Sequence, residues 1–256
     1  MRIIAVINQK GGVGKTTTSV YLSACLARAG HPTLLIDLDP QAHATLGVGL
    51  DPDALDGRTV GEALLSETQG LASVITDTYL PQLKVAPASL SLSKADSLLH
   101  ARHFREQRLQ HALEGLAGFD YVLVDCQPTL GVLPVNAMVA ANHFLIPTQP
   151  SGYAIRGLGD LLEALHSIKR HQPGWDYRIL LTMVMAQATV TNDRVDRVLE
   201  PLRERVLETR IGRCEALNRG QMEDQPKDIA TLFPGSRAAR DYQQLTEEIL
   251  RIWPSH

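Results

Sequence analysis

Short apolar runs alternate along the chain with longer segments in which apolar residues recur every three or four positions. The short runs predict strands, at residues 3–8, 33–38, 84–87, 121–125, 143–147, 178–184 and 206–211. The longer segments predict helices, at residues 16–29, 60–67, 104–116, 135–141, 155–170, 192–205 and 237–253. Uniformly apolar strands separated by helices are typical of a parallel sheet covered on both faces. We therefore expect an α/β fold, with a doubly wound, mainly parallel sheet and helices on both faces.

The same pattern gives no reason to divide the chain. Its 256 residues are enough for one large domain or two small ones. Since no internal repeat, low-complexity tract or Gly/Ser linker interrupts the pattern, we predict a single domain over residues 1–256. Residues 68–82, TQGLASVITDTYLPQ, are the least patterned, and we expect a surface excursion there.

Composition narrows the class of protein. A hydrophobic content of 44% supports a sizeable core. The net charge of −3 means that any contact with nucleic acid must come from a local basic patch. Cys25, Cys126 and Cys214 are too few and too widely spaced to suggest a disulfide framework or a zinc cluster, which fits a reducing cytosol. No window approaches the ~18 uninterrupted apolar residues of a transmembrane helix, so no membrane span is expected.

The first predicted strand leads into a glycine-rich loop, QKGGVGKTT, at residues 9–17. Ligands of parallel sheets bind beyond the carboxyl ends of the strands, where this loop falls. Its three glycines allow the backbone N–H groups to turn towards phosphates, Lys15 would reach the β- and γ-phosphates, and the Thr16 hydroxyl would bind Mg²⁺. The usual pattern G-x-x-x-x-G-K-[ST] has glycine where this chain has Gln9. The loop is therefore a variant, K-G-G-x-G-K-T.

Aspartates end two of the other predicted strands. LLIDLDPQ ends the second strand with Asp37 and Asp39, whose spacing of two places both on one face of the strand. YVLVDCQP ends another strand with Asp125. ATP hydrolysis needs such groups, because magnesium takes oxygen ligands and the attacking water must be oriented. Aspartates at strand ends can also merely cap the next turn, and that alternative is strongest for Asp37.

The loop, with Lys10 ahead of its glycines, resembles the deviant Walker A motif of the ParA/MinD family of ATPases. The resemblance implies a P-loop NTPase that binds ATP and Mg²⁺. It implies that Lys10 reaches the nucleotide of a second copy, as an arginine finger does. The resemblance also implies that Lys10, Lys15 and Asp39 are catalytic residues. Asp39 would orient the attacking water, and Asp37 would lie near the metal. The implied metal-site residues are Thr16, Asp39 and Asp125, and the implied nucleotide contacts are Lys10, Gly11, Gly12, Val13, Gly14, Lys15, Thr16, Thr17 and Met183.

The resemblance covers nearly the whole chain. LPVNAMVAANHFLIPTQPSGYAIRGLGDLLEAL is similar to the family's link from the second switch to the next strand and helix. ILLTMV is similar to the strand whose end approaches the nucleotide base, and ETRIGRCEAL and FPGSRAARDYQQLTEEIL are similar to the C-terminal end. Two stretches depart from the family pattern: Gln127 replaces the first proline of D-C-P-P, and NRGQMEDQPKDIATL replaces a glutamate-alanine-proline loop. Since the chain starts directly at strand one, we expect the short form without an N-terminal helix-turn-helix.

In the short partition ATPases that this chain resembles, ATP closes a homodimer that binds DNA nonspecifically, and slow hydrolysis, stimulated by a ParB-like adaptor protein, releases it. The resemblance therefore implies segregation of plasmid or chromosome copies, in the cytoplasm and on the nucleoid. Arg213 and Arg237 align with basic residues that are important for DNA. Arg213 has the alternative of lining the adenine pocket, and the nearby Arg203 and Arg205 lie among glutamates, as on a solvated helix face.

Proteins with three other functions carry the same kind of phosphate loop. A membrane-cycling positioner like MinD would end in a basic amphipathic helix, whereas this chain ends LTEEILRIWPSH. An iron–sulfur electron donor would need two loop cysteines per subunit, and none of the three cysteines looks suited. A nonhydrolysing switch or a positioner of another cargo stays open, because the sequence discriminates poorly there.

Overall fold

The computed structural model describes residues 1–55, 57–170, 172–185, 187–220 and 227–255, with the backbone alone at 152–156, 189 and 218. The strands are β1 (Arg2–Val6), β2 (Thr33–Leu38), β3 (Thr76–Asp77), β4 (Leu83–Ala86), β5 (Tyr121–Cys126), β6 (His143–Thr148), β7 (Asp176–Val184) and β8 (Val206–Gly212). The α-helices are α1 (Lys15–Arg28), α2 (His43–Gly47), α3 (Val60–Leu65), α4 (Ser91–Leu99), α5 (Arg108–Ala112), α6 (Val132–Ala140), α7 (Gly152–Lys169), α8 (Thr189–Leu199), α9 (Glu215–Gly220), α10 (Ile229–Leu232) and α11 (Arg237–Ile252). Short 3₁₀ turns lie at Pro52–Ala54, Leu71–Ser73, Arg105–Gln107 and Glu200–Arg205.

All eight strands form one sheet in the order β3-β4-β2-β5-β1-β6-β7-β8. Every pairing is parallel except that of β3 with β4. The chain first builds the sheet on one side of β1 and then on the other, so the order reverses at β1. That reversal opens a crevice at the carboxyl end of β1, where open α/β sheets bind ligands.

The sheet is covered on both faces, as expected. Along β1, Ile4 and Val6 belong to one apolar cluster, while Ala5 belongs to the other. Helices α1 and α11 cover the first face, and α3 to α7 supply the apolar residues of the second. The α/β, doubly wound, mainly parallel fold is therefore confirmed. Cys25 and Cys126 are buried in these clusters, in agreement with a packing role.

Several predicted helices have different bounds in the structure, among them α7, which begins three residues earlier than expected, at Gly152. The helix expected at 104–116 is only a 3₁₀ turn and the short α5, because Phe104 has a left-handed backbone with φ 53°. Helix α6 begins three residues early and includes Pro134, which is tolerated in a first turn. The helix expected at 192–205 ends as α8 at Leu199, and a 3₁₀ turn with proline in its first turn follows.

The expectation of a surface excursion at 68–82 is wrong in part. Leu71 and Val74 are buried in the core, and Thr76–Asp77 adds the antiparallel edge strand β3. A two-residue strand is too short to produce a periodic signal. Helices α2, α4, α9 and α10 were also missed. No helix of the described residues is long and apolar enough to cross a membrane.

Candidate functional site

The glycine loop joins the end of β1 to the start of α1. Gly12 and Gly14 have φ of 71° and 83°, a left-handed conformation that glycine adopts without a steric penalty. The side chain of Val13 is fully buried, so only its backbone can meet a ligand. The loop lies at the N-terminus of α1, where unpaired N–H groups favour an anion.

Side chains from neighbouring strands hold this loop in place. The Asn8 side-chain amide donates to the carbonyl of Pro147 at 2.7 Å, and its oxygen accepts from the Lys10 N–H at 2.9 Å. The Thr182 hydroxyl donates to the carbonyl of Val13 at 2.8 Å. The Gln149 amide donates to the carbonyl of Gly12 at 3.0 Å. The anion-binding backbone is therefore shaped by β6 and β7 before any ligand arrives.

The two lysines of the loop lie in different surroundings. Lys15 is buried, and its ammonium donates to the carbonyl of Lys10 at 3.1 Å. Burial lowers the pKa of Lys15, while the nearby Asp125 carboxylate opposes that change. The Lys10 ammonium instead lies 3.3 Å from the hydroxyl of Ser151. Lys15 therefore faces inward, whereas Lys10 is half-buried at the rim beside a neutral partner.

Asp125 is fully buried at the end of β5. One of its carboxylate oxygens accepts from the Thr16 hydroxyl at 2.8 Å, and the other accepts from the Ser19 hydroxyl at 2.8 Å. Burial, with the adjacent Asp37 as a further cause, raises the pKa of Asp125. The structure thus brings Thr16 and Asp125 together, as the sequence predicted for a magnesium site.

Asp37 pairs in register with Asp125 on the neighbouring strand and is also fully buried. Its carboxylate accepts from the N–H and the hydroxyl of Thr45, each at 2.8 Å, and from the N–H of Asp39 at 3.1 Å. Burial raises the pKa of Asp37. One oxygen therefore holds the first turn of α2 through Thr45 and the other holds the turn after β2 through Asp39, which is the turn-capping alternative that the sequence left open.

A cleft of about 610 Å³ lies above these groups. Asp39 lines it from the loop after β2, where one of its oxygens accepts from the N–H of Gln41 at 2.9 Å. The cleft is lined by Gly11, Gly12, Gly14, Lys15, Thr16, Thr17, Asp39, Pro40, Gln41, His43, Ser93, Gln127, Pro128 and Met183. Most of the predicted loop contacts therefore share one cavity with Asp39 and Met183.

The donor set suits Mg²⁺. No group of three or more His, Cys, Asp or Glu side chains among the described residues forms a cage for a metal ion. Mg²⁺ does not need one, because it keeps several waters and binds one or two carboxylates together with substrate phosphates. The Thr16 hydroxyl and the Asp125 carboxylate supply oxygens of this kind at the phosphate loop. The buried carboxylate pair of Asp37 and Asp125 also gives a cation a favourable potential.

Met183 stands at the end of β7 with a left-handed backbone, φ 55°, beside a register irregularity. Such a bulge re-aims a side chain, and Met183 is 39% exposed towards the cleft. The Gln149 amide lies 2.6 Å from its sulfur. Gln149 therefore links the phosphate loop to Met183, where the resemblance places the nucleotide base.

Arg213 and Arg237 come together at the carboxyl end of β8. Arg213 follows Gly212 directly, is exposed, and lines a second crevice with Met183 and Gln149. The Arg237 guanidinium packs on Gly212 and lies 3.6 Å from Asp241. Both arginines therefore lie next to Gly212 at the end of β8, and we call them the arginine pair. Of the departing segment NRGQMEDQPKDIATL, residues 221–226 lie outside the described residues.

Three positions that complete the site were not predicted from the sequence: Ser19, Gln149 and Ser151. Ser19 was detectable, because it lies three residues after Thr16 and therefore on the same helix face. Gln149 and Ser151 follow β6, and the topology alone places that strand beside β1. No signal within the sequence links them to the loop.

The fold and the site together define a P-loop nucleotide-binding protein. A family model described as an AAA domain matches residues 1–175. The sporulation initiation inhibitor protein Soj of Bacillus subtilis is 37% identical over 252 residues, which cover 97% of this chain and 98% of that protein. The chromosome partitioning protein ParA of Myxococcus xanthus is 37% identical over 253 residues, covering 98% of this chain and 88% of that protein. The chain belongs to the ParA/Soj-type ATPases of the ParA/MinD superfamily.

Solved structures show the same fold. A cobyrinic acid a,c-diamide synthase from Mycobacterium smegmatis, with a bound ATP analog and magnesium, superposes with a TM-score of 0.84 at 33% identity, covering 100% of this chain and 96% of that chain. A putative plasmid partition protein from Borrelia burgdorferi bound to AMPPNP superposes with a TM-score of 0.81 at 23% identity, covering 98% of this chain and 99% of that chain.

Proposed function

We propose that this protein is a slow, Mg²⁺-dependent ATPase that dimerises on ATP, binds DNA nonspecifically and segregates plasmid or chromosome copies. The observation that carries the proposal is the convergence of Lys15, the Thr16–Asp125 pair and Asp39 on one cleft at the phosphate loop. The relatives named Soj and ParA support the partition role. We also propose that residues 1–256 act as one domain, because strands from both halves share the sheet.

The proposed roles follow from these positions. The loop amides and Lys15 hold the β- and γ-phosphates, and Thr16 and Asp125 hold Mg²⁺, which would neutralise charge on the transferring phosphoryl group. Asp39 orients the attacking water and, because it lines the same cleft as Thr16, would contact the ion's water shell. Thr17 and Met183 contact the rest of the nucleotide, with Met183 facing the base.

Nucleotide binding is tested by Lys15→Ala. Because Lys15 is buried at the loop, its loss removes the cation that faces the phosphates, and we expect ATP affinity to fall at least about 100-fold. Titration calorimetry with ATP and Mg²⁺ measures the effect. Lys84→Ala is the matched control, since that ammonium pairs with Asp77 at the surface. Equal affinity of Lys15→Ala and wild type would refute the proposed site.

Hydrolysis is tested separately by Asp39→Ala. Asp39 is half-buried, and its described bond to the N–H of Gln41 only shapes its own loop, so the variant should still bind ATP. We expect turnover to fall about 100-fold, because the attacking water loses its acceptor. Phosphate release measures turnover. A variant that hydrolyses ATP at the wild-type rate would show that Asp39 has no role in the reaction.

Dimerisation tests the role of Lys10. We propose that its ammonium leaves Ser151 and meets phosphates bound by the partner subunit, because a neutral hydroxyl is a weaker partner than an anion. Lys10→Ala should therefore bind ATP as a monomer but form the closed dimer poorly. Light scattering with ATP measures this, preferably in an Asp39→Ala background so that nucleotide is not consumed. Undiminished dimerisation would contradict the role in trans.

The DNA role rests on the arginine pair at β8 and would be confined to the ATP dimer. Binding to random-sequence DNA should be strong with ATP and weak with ADP or without nucleotide, and equal binding in all three states would contradict the proposal. Arg237→Glu should weaken binding to all sequences alike, because contacts with phosphates carry no sequence information. We further propose a cytoplasmic, nucleoid-associated protein whose hydrolysis a ParB-like adaptor stimulates.

A membrane-bound positioner is the alternative. In the structure, the apolar residues Leu245, Ile249 and Trp253 of the C-terminal helix are buried against the core. That face is already packed, which favours DNA over lipid as the scaffold. Flotation with anionic liposomes in the presence of ATP distinguishes the two functions.

A further inference from the structure

We propose that Gln127 orients the attacking water together with Asp39, an inference that rests on the proposed ATPase function. By the family resemblance given above, Gln127 takes the position of the first proline of D-C-P-P. It lines the same cleft as Asp39, Lys15 and Thr16 and is half-buried there. Proline has no side-chain donor or acceptor, so this position offers a carboxamide that the family pattern does not supply.

The sheet places Gln127 beside Asp39. In the parallel pairing of β2 with β5, Asp37 is opposite Asp125 and Leu38 is opposite Cys126. Asp39 and Gln127 are the first residues after the two strands end. Both therefore leave neighbouring strands at the same edge of the sheet, and both line the same cleft.

This spacing matches the needs of one water molecule. Neighbouring strands lie about 4.8 Å apart. A water that donates two hydrogen bonds of about 2.8 Å at a near-tetrahedral angle joins acceptors about 4.5 Å apart. Side chains that leave neighbouring strands can therefore bring the Gln127 carbonyl oxygen and one Asp39 oxygen to both protons of a single water, in the cleft that they share with the phosphate loop.

The side chain of Gln127 is available for this task. Asp37 and Asp125 use their oxygens on the described partners Thr45, Thr16 and Ser19. The Gln127 carboxamide forms no hydrogen bond with another described residue. In the proposed step, the water oxygen forms a bond to the γ-phosphorus. At the same time, the bond between the γ-phosphorus and the β–γ bridging oxygen breaks. ADP leaves with that electron pair, and the water protons end on the phosphate product.

Gln127→Ala tests the inference, with Gln110→Ala as the control. Gln110 is an exposed glutamine of α5 that does not line the cleft, and its described bond to Leu113 comes from its backbone carbonyl, which alanine keeps. We expect Gln127→Ala to lower basal ATP turnover about tenfold, with the affinity for AMPPNP unchanged. Gln110→Ala should stay within about twofold of wild type in both measurements.

A second readout does not depend on turnover. ADP with aluminium fluoride mimics the planar phosphoryl group with its in-line water. Gln127→Ala should bind this complex about tenfold more weakly than wild type, while its affinity for AMPPNP and its melting temperature stay the same. Gln127→Glu keeps the size and the acceptor but adds charge beside Asp39, so it should also lose turnover.

The possible results distinguish a failure of the proposed ATPase function from a failure of the proposed role of Gln127. A wild-type chain that neither binds nor hydrolyses ATP overturns the proposed function, and the role of Gln127 with it. A wild-type chain that hydrolyses ATP, alongside a Gln127→Ala variant with the same turnover and the same aluminium fluoride affinity, overturns the role of Gln127 alone. A loss of AMPPNP affinity equal to the loss of turnover would also overturn it, because the residue would then serve ground-state binding.

Discussion

Substituting Asp125 with Asn should stabilise the nucleotide-free protein at neutral pH, even though it removes a proposed metal ligand. Asp125 is fully buried, and burial together with the facing Asp37 raises its pKa from 3.8 to about 7. A rise of about three in pKa corresponds to at most about 4 kcal/mol of unfavourable free energy in the ionised folded state. Asparagine has nearly the same shape and carries no charge.

Part of the stabilisation gained by removing the Asp125 charge is lost through weaker hydrogen bonding. The hydroxyls of Thr16 and Ser19 donate to different oxygens of the carboxylate. Asparagine offers an acceptor oxygen to only one of them, and the lost bond to the other costs about 2 kcal/mol. We therefore expect a net stabilisation of about 1–2 kcal/mol above pH 7. Because the folded pKa lies above the unfolded one, the penalty is absent near pH 4 and grows until the pH passes the folded pKa. The advantage of Asp125→Asn should follow the same course.

Urea unfolding at several pH values between 4 and 8, without Mg²⁺ or nucleotide, measures this difference. Asp77→Asn serves as the control, because the Asp77 side chain is exposed and changes stability little. If Asp125→Asn is destabilised at pH 8, or if its difference from wild type does not vary with pH, the carboxylate pair is not the electrostatic burden that the structure implies. In a separate measurement with Mg²⁺ and ATP, we expect the ligands to stabilise only the wild type.

Three further perturbations test other parts of the structure. Asp228→Ala should cost about 2–4 kcal/mol in urea unfolding, because the buried Asp228 carboxylate caps α10 through two backbone N–H groups and accepts from the Tyr79 hydroxyl at 2.9 Å; a loss below about 1 kcal/mol would contradict this. Burial lowers the pKa of His143 to about 4, so stability should fall by roughly 1–3 kcal/mol as the pH drops from 6.5 towards 4, and His143→Gln should abolish that part of the loss. Gln149→Ala should weaken ATP binding about tenfold in calorimetry, because the Gly12 carbonyl and Met183 lose their link; unchanged affinity would make Gln149 dispensable to the loop.

The sequence by itself determined the strands and the phosphate loop. The strands β2, β5 and β6 are buried along their whole length, so their apolar runs carry a strong signal. The loop is equally legible, because Gly12 and Gly14 adopt backbone angles that favour glycine, and Lys15 and Thr16 are the residue types that phosphate and magnesium require. The aspartates after β2 and β5 could be assigned to the same edge, since parallel strands end together.

Only the tertiary structure decided which of these groups meet. Asp37 and Asp39 are equivalent in sequence pattern, yet Asp37 is fully buried on Thr45 while Asp39 lines the cleft. Gln149 reaches the loop across a strand pairing that joins residues more than 130 positions apart, and no local pattern encodes such a distance. Gln127 was only a departure from a motif until the register of β2 with β5 placed it beside Asp39. The physical reason is the same in each case. The hydrophobic periodicity of a helix or strand indicates which of its residues are buried, whereas the contacts of a site depend on which helices and strands pack side by side.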